Sequence, residues 1–413
     1  MPAGKLTMLH GAALYSGAVL GTGVLVLPSM ALQIAGPASL VAWALLILLS
    51  IPLATTFAVL GSRYPASGGV SSFAQRAFGW RFAGITGWIF YGGVMLGTPS
   101  AAMMGGLYMA KPFHAGHTVA VLMAAAIYIV AVVIIGRGLR ASAGVQLVVA
   151  ALLAVTLVTV CAFAVPYFDA DNLVPFAPNG VFSIGKAASL LMFAFVGWEA
   201  VAPMTSDFKR PSQDVPRATA VALCITSLLY LMLAGAVVLT QPANDHDTAA
   251  SLLTLLSPGF GDSALWIMAL IAALLTLGAL LAYINGGAKQ GSALAAQGFL
   301  APAFAAGHVR GTTPLPSLAL VTGVALAVFA SMAMNPGTLE FAIHASAACF
   351  TAVYVLGTAA AIQLLREERR WAWVATLAFA LACILLFFSG PFLALPIALG
   401  VFGTIMGGRR ANA

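Results

Sequence analysis

Residues 16–28 read SGAVLGTGVLVLP, so Gly17, Gly21 and Gly23 crowd into one apolar stretch, with Thr22 between the last two. A glycine inside a helix costs roughly 1 kcal/mol against alanine, and the cluster has two readings. In the first, Gly17 and Gly21 form a GxxxG pair that lets helices approach closely in lipid. In the second, the helix breaks. A break exposes free N–H groups with partial positive charge on one half-helix and free carbonyls on the other. Those sets complement a carboxylate and an ammonium group, so a broken helix binds a zwitterion without charged side chains. Gly21, Thr22 and Gly23 would offer the N–H groups, and Ala18, Val19 and Leu20 the carbonyls.

A second stretch, LLMFAFVGWEAVAP (Leu190 to Pro203), sets Gly197 beside Trp198 and Glu199, with Pro203 a turn later. Gly23 and Gly197 stand 174 positions apart. Paired interruptions in two halves of a chain point to a binding site at their interface, which favours the break. Glu199 carries its own argument, because an acid within a span costs roughly 2.5–3.5 kcal/mol on insertion scales. It either binds and releases a proton or is a fixed structural acid bonded to broken backbone. Four further residues have a pathway role and a packing role open to them. Tyr91 touches substrate or packs. Tyr283 and Asn285 face a cavity or approach the inner interface. His344 lines a pathway or is simply hydrogen-bonded. Asp207 is expected to pair with Lys209, Arg210 or Arg217 at the interface.

The elements that would position these residues follow from composition. The chain is 62% hydrophobic and 7% charged, with a mean hydropathy of +1.02, whereas soluble domains carry about 25% charged residues. This is an integral membrane protein. Uncharged runs, beginning with the one between Lys5 and Arg63, predict an all-α chain of twelve spans with both termini on one side. With the N-terminus inside, every Lys and Arg except Lys111 and Lys186 falls on the inner side, as the positive-inside rule requires. The net charge of +7 is therefore topology rather than a nucleic-acid footprint. The first span is read as retained, not as a cleaved signal. Cys161, Cys224, Cys349 and Cys383 have no metal-ligand spacing, so no metal, cofactor or disulfide is expected. No cluster of catalytic side chains argues for an enzyme.

The predicted layout is an inner tail (1–9), spans 1–5 (10–165), an outer loop (166–183), spans 6–10 (184–365), a peripheral pair of spans (366–408) and an inner tail (409–413). An odd number of spans per group makes the second group inverted in the membrane. Within this layout an amphipathic surface helix is expected around Ser71 to Phe78. Pro216 is expected in the first turn of span 7. Lys289 is expected to open the longest inner connection, which runs to Pro316 and includes an interfacial helix.

The chain resembles the amino acid–polyamine–organocation superfamily of transporters. SGAVLGTGVLVLP is similar to its broken first span, RYPASGGVSSFAQRAFG to its inner loop, and FAFVGWEA with FKRPSQDVPRA to its sixth span and the loop after it. Their order and spacing most resemble the bacterial methionine and branched-chain amino acid exporters. The resemblance implies a five-plus-five inverted repeat, alternating access around a midplane site, and a bacterial cytoplasmic membrane. It implies that Gly21, Thr22 and Gly23 hold the carboxylate, and that span 1 carbonyls (Ala18 to Leu20) with those of Phe193, Phe195 and Val196 hold the amine beside the Gly197 break. Phe193 takes the place of an aromatic that closes over substrate, and Glu199 that of a glutamate implicated in proton-linked gating in some relatives. Span 5 lacks the lysine found in some proton-coupled members, and span 8 lacks a Ser/Thr pair for sodium. Proton antiport through Glu199, exchange and facilitated export stay open. The core offers a substrate side chain no charged partner apart from Glu199 and His344, which favours neutral apolar amino acids: methionine, leucine, isoleucine or valine. Export is the expected direction. An uptake carrier or exchanger on the same fold is one alternative, and a non-transporting sensor is another.

Overall fold

The computed structural model describes residues 6–25, 27–240, 255–256, 259–307 and 312–411, excepting the side chains of 189, 192, 193 and 408–411. Among the described residues the chain is helical, and its one extended pairing is an isolated parallel bridge between Leu6 and Phe208. The first helix, α1 (Met8–Val19), starts where Thr7 caps it. The Thr7 hydroxyl accepts from the His10 N–H at 3.4 Å, and His10 Nδ1 accepts from the Thr7 N–H at 3.3 Å. A reciprocal pair of this kind satisfies two orphan amides at a helix start. The helix stops at Leu20. A 3-10 turn (Thr22–Leu25) follows, and then α2 (Leu27–Ala35), whose first turn accommodates Pro28 because early helical amides need no partner.

The remaining helices are α3 (Ser39–Arg63), α4 (Gly69–Phe78), α5 (Trp80–Ala110), α6 (His117–Gly136), α7 (Leu139–Ala164), α8 (Phe182–Leu191), α9 (Pro211–Thr240), α10 (Ser263–Ala296), α11 (Leu315–Met334), α12 (Gly337–Leu364), α13 (Arg369–Phe387) and α14 (Ala394–Ala411). Nine helical stretches among the described residues are long and apolar enough to cross a membrane, from Leu27–Arg63 to Gly390–Gly407. The glycine-rich α5 is not one of the nine. It nevertheless packs most extensively on α10 and α12 and forms the centre of the bundle. The outward faces of α6, α7 and α13 stay apolar and exposed, as at Leu122, Val155 and Phe387, which suits helices solvated by lipid.

Three boundaries differ from expectation. Lys289 does not open a loop: α10 continues to Ala296, and Lys289 is buried. Its Nζ lies 3.1 Å from Asp207, which is also buried, so Asp207 pairs with Lys289 rather than with Lys209, Arg210 or Arg217. A charge-based reading ends the span at Lys289 because it prices the ammonium as unpaired, and burial becomes tolerable only with the carboxylate supplied. Second, α9 begins at Pro211, which takes the position suited to proline, and Pro216 lies a turn further in. The Arg210 N–H donating to Asp214 at 3.0 Å fixes this earlier start. Third, the described part of the connection after α10 contains a short 3-10 turn (Pro302–Ala305) rather than a helix, and 308–311 lie outside the described residues. The expected amphipathic helix is α4.

Candidate functional site

Among the described residues two helical paths are interrupted, at residues 20–21 and 196–201, and the interruptions face each other. After α8 a 3-10 turn (Met192–Phe195) leads into extended backbone at Val196, and then Gly197 adopts φ +145°, a region that disfavours side chains. A Cβ at Gly197 would lie 3.0 Å from both the Ala18 carbonyl carbon and the Val19 nitrogen. The second break is thus pressed against the last turn of α1. A further 3-10 turn (Ala202–Asp207) resumes the path.

Between the breaks lies a cavity whose walls come from α5, α10 and α12 as well as from the breaks themselves. On α5 it is bordered by Gly97, Ala101 and Met104, spaced four and then three residues so that they share one helix face. On α12 the same spacing brings in Ile343, Ala347 and Phe350. About 90 Å³ is open to the centre of a water-sized sphere. A single water needs roughly 10–15 Å³ on that measure, so the cavity admits a small molecule.

Of the residues singled out by sequence, Ala18, Val19, Gly21, Thr22, Gly23, Val196 and Tyr283 line this cavity. Leu20 and Phe195 are buried and do not line it, and Phe195 packs its ring on Trp43 and Tyr230. The Phe193 side chain lies outside the described residues. Tyr91 lies off the cavity, with its hydroxyl 3.2 Å from Ser317 Oγ. Asn285 donates to the Leu281 carbonyl and to Ser142 Oγ, bracing α10 against α7. His344 borders a different pocket and stacks on Phe392.

The two glycines of the GxxxG pair have separate jobs. A Cβ at Gly17 would meet the Gln146 amide and come 3.0 Å from the Gly278 carbonyl, so Gly17 is a packing residue. At Gly21 a Cβ would meet nothing within 4 Å. That position faces the open cavity, where Gly21, Thr22 and Gly23 stand at the start of a new helical turn whose first amides lack intrahelical partners.

Three tyrosines that sequence reading gave little or no weight organise the breaks. The Tyr230 hydroxyl lies 2.7 Å from the Val19 carbonyl and 2.8 Å from the Ala194 carbonyl, so its single proton bridges the ends of both broken segments. Tyr354 accepts from the Gly197 N–H at 2.8 Å and the Trp198 N–H at 3.2 Å, which ties the second break to α12. Tyr283 donates to Glu199 Oε1 at 3.0 Å, and the Gly197 N–H also reaches Oε2 at 3.1 Å. Glu199 is fully buried and accepts from the Tyr283 hydroxyl and from the Gly197 N–H. A signal for these residues was present: a tyrosine deep in an apolar helix needs a partner for its hydroxyl.

The family described as "Amino acid permease" matches residues 6–406. The chain is 33% identical over 403 residues to the uncharacterized amino acid permease YecA of Bacillus subtilis (strain 168), covering 97% of this chain and 94% of that protein. It is 35% identical over 293 residues to the L-methionine/branched-chain amino acid exporter YjeH of Escherichia coli (strain K12), covering 69% of this chain and 68% of that one. A match over nearly the whole length, on a helical membrane fold with two facing breaks, identifies a transporter rather than an enzyme: the chain belongs to the amino acid permease family of the amino acid–polyamine–organocation superfamily.

Proposed function

We propose that this protein exports neutral apolar amino acids (methionine, leucine, isoleucine and valine) from a bacterial cytoplasm by alternating access, as a proton antiporter. The carrying observation is the cavity at the two breaks, whose described walls include backbone from both and no Asp, Glu, Lys, Arg or His. An unpaired substrate charge there would go unanswered at a cost of several kcal/mol, so a neutral side chain fits. The Gly21–Gly23 amides receive the carboxylate, and carbonyls of residues 18–20 with those around Phe193, Phe195 and Val196 receive the ammonium. The twelve-span, five-plus-five layout with both termini cytoplasmic belongs to the same reading, as do the domain limits given above. Export takes its support from the similarity to the Escherichia coli exporter. Coupling takes its support from Glu199, a buried acid whose carboxylate joins the Gly197 break to Tyr283 on α10.

Purified protein in liposomes under an imposed pH gradient tests direction and coupling together. Antiport predicts that labelled leucine accumulates when the lumen is acid, and that Glu199→Gln loses this response while keeping exchange. Accumulation driven instead by acid outside would make the protein an uptake carrier. Saturable binding with no flux under either gradient would make it a sensor.

A further inference from the structure

A second pocket, of about 530 Å³ on the same measure as the central cavity, opens at the end of the bundle away from Leu6 and Lys289. Its place is fixed by α13. That helix starts where Glu368 meets Arg63 and ends nineteen residues later at the turn that walls the pocket. The other walls are α3, α8 and α12, with Leu46, Ala188 and Phe392 giving an apolar lining. Its exposed edge carries Ile384 and Phe388 together with His344, whose ring stacks on Phe392 at 4.9 Å, and Ser389 and Thr351 add hydroxyls to the lining. Among the described residues Val196 and Ala347 border both this pocket and the central cavity, and no other residue does. The barrier on this side is therefore about one layer of small side chains. The opposite end is closed more heavily, by the Lys289–Asp207 pair, a 3.0 Å bond from Gln290 to Ser71 Oγ, and the bridge between Leu6 and Phe208.

We propose that this pocket is the vestibule through which the apolar amino acid passes between the central cavity and the far side of the membrane. Val196 and Ala347 form its inner barrier, and the α13–α14 turn forms its wall. The inference deepens the proposed function and rests on it. It gives α13 and α14, peripheral to the ten-span core, a part in the route. A mostly apolar lining with Ser389, Thr351 and His344 as its polar groups accepts a small zwitterion whose side chain is apolar. A charged side chain finds no acidic or basic partner there except His344.

The test is made on the full chain with Cys161, Cys224, Cys349 and Cys383 replaced by alanine, carrying Ser389→Cys and reacted with a bulky maleimide after reconstitution. Val401→Cys, on the exposed flank of α14, is the matched control. Leucine counterflow is expected to fall about tenfold or more on labelling at 389 and to be unchanged by labelling at 401. Ala188→Trp, which fills the pocket without any reagent, is expected to give the same loss. Flux that survives both the label at 389 and the tryptophan at 188 overturns the vestibule, as does equal loss from the label at 401. Absence of flux in the unlabelled proteins and in the unmodified chain overturns the proposed function, and the vestibule with it.

Discussion

At the scale of single residues, two glycines four positions apart make opposite predictions. Gly17→Ala forces a methyl into the Gln146 amide and the Gly278 carbonyl, and overpacking of this kind costs about 1–3 kcal/mol. Thermal unfolding in detergent should show a lower midpoint, whereas an unchanged midpoint would mean that α1 has slack at that contact. Gly21→Val projects into empty space, so it should leave the midpoint nearly unchanged while abolishing leucine binding. Tyr230→Phe removes the one proton shared by the Val19 and Ala194 carbonyls. Leaving a buried polar group unpaired costs about 1–3 kcal/mol, a loss that should appear as lower stability. The break at residues 21–23 was legible because glycines are conspicuous in an apolar run. Tyr230 and Tyr354 signalled only that each hydroxyl needed a partner; the partners themselves, backbone carbonyls and amides on distant segments, are revealed by no local pattern.

At the scale of elements, the buried Lys289–Asp207 pair joins α10 to the end of the second broken segment. Lys289→Met alone removes the cation beside a buried carboxylate and should cost about 3–5 kcal/mol. The double variant Lys289→Met, Asp207→Leu should recover most of that loss in thermal unfolding, since well-packed apolar pairs replace buried ion pairs without penalty. A double variant as unstable as the single one would show that Asp207 matters for another reason. The exposed Arg63–Glu368 pair, which ties the end of α3 to the start of α13, behaves differently. Hydrogen bonding to Arg63 holds the Glu368 carboxyl below the usual carboxylate range. A lowered folded-state pKa gives a contribution that is complete above the ordinary carboxylate pKa of about 4.3 and is lost as pH falls through the lowered value. Glu368→Gln should therefore narrow the stability difference between neutral and acid pH by a small amount that vanishes at high salt. Lys289 shows where sequence reading of elements fails. Charge marks a span end only while the charge has no buried partner, and here the partner lies 82 positions away.

For the whole molecule, composition alone gave the membrane setting, and the spacing of the two breaks gave the architecture of the site. Hydropathy could not reveal that α5, the least lipid-like of the long helices, forms the centre against which α10 and α12 pack. Its glycines lower its apolarity for the same reason that they let neighbours approach. The central claim is that an amino acid is carried through the cavity between the breaks, and counterflow tests it most directly. Liposomes loaded with unlabelled leucine or methionine should accumulate the labelled amino acid through the wild-type protein. Liposomes carrying folded Gly21→Val should accumulate none. Equal accumulation by the two proteins would contradict the account, because a route that tolerates a side chain at residue 21 does not run through this cavity.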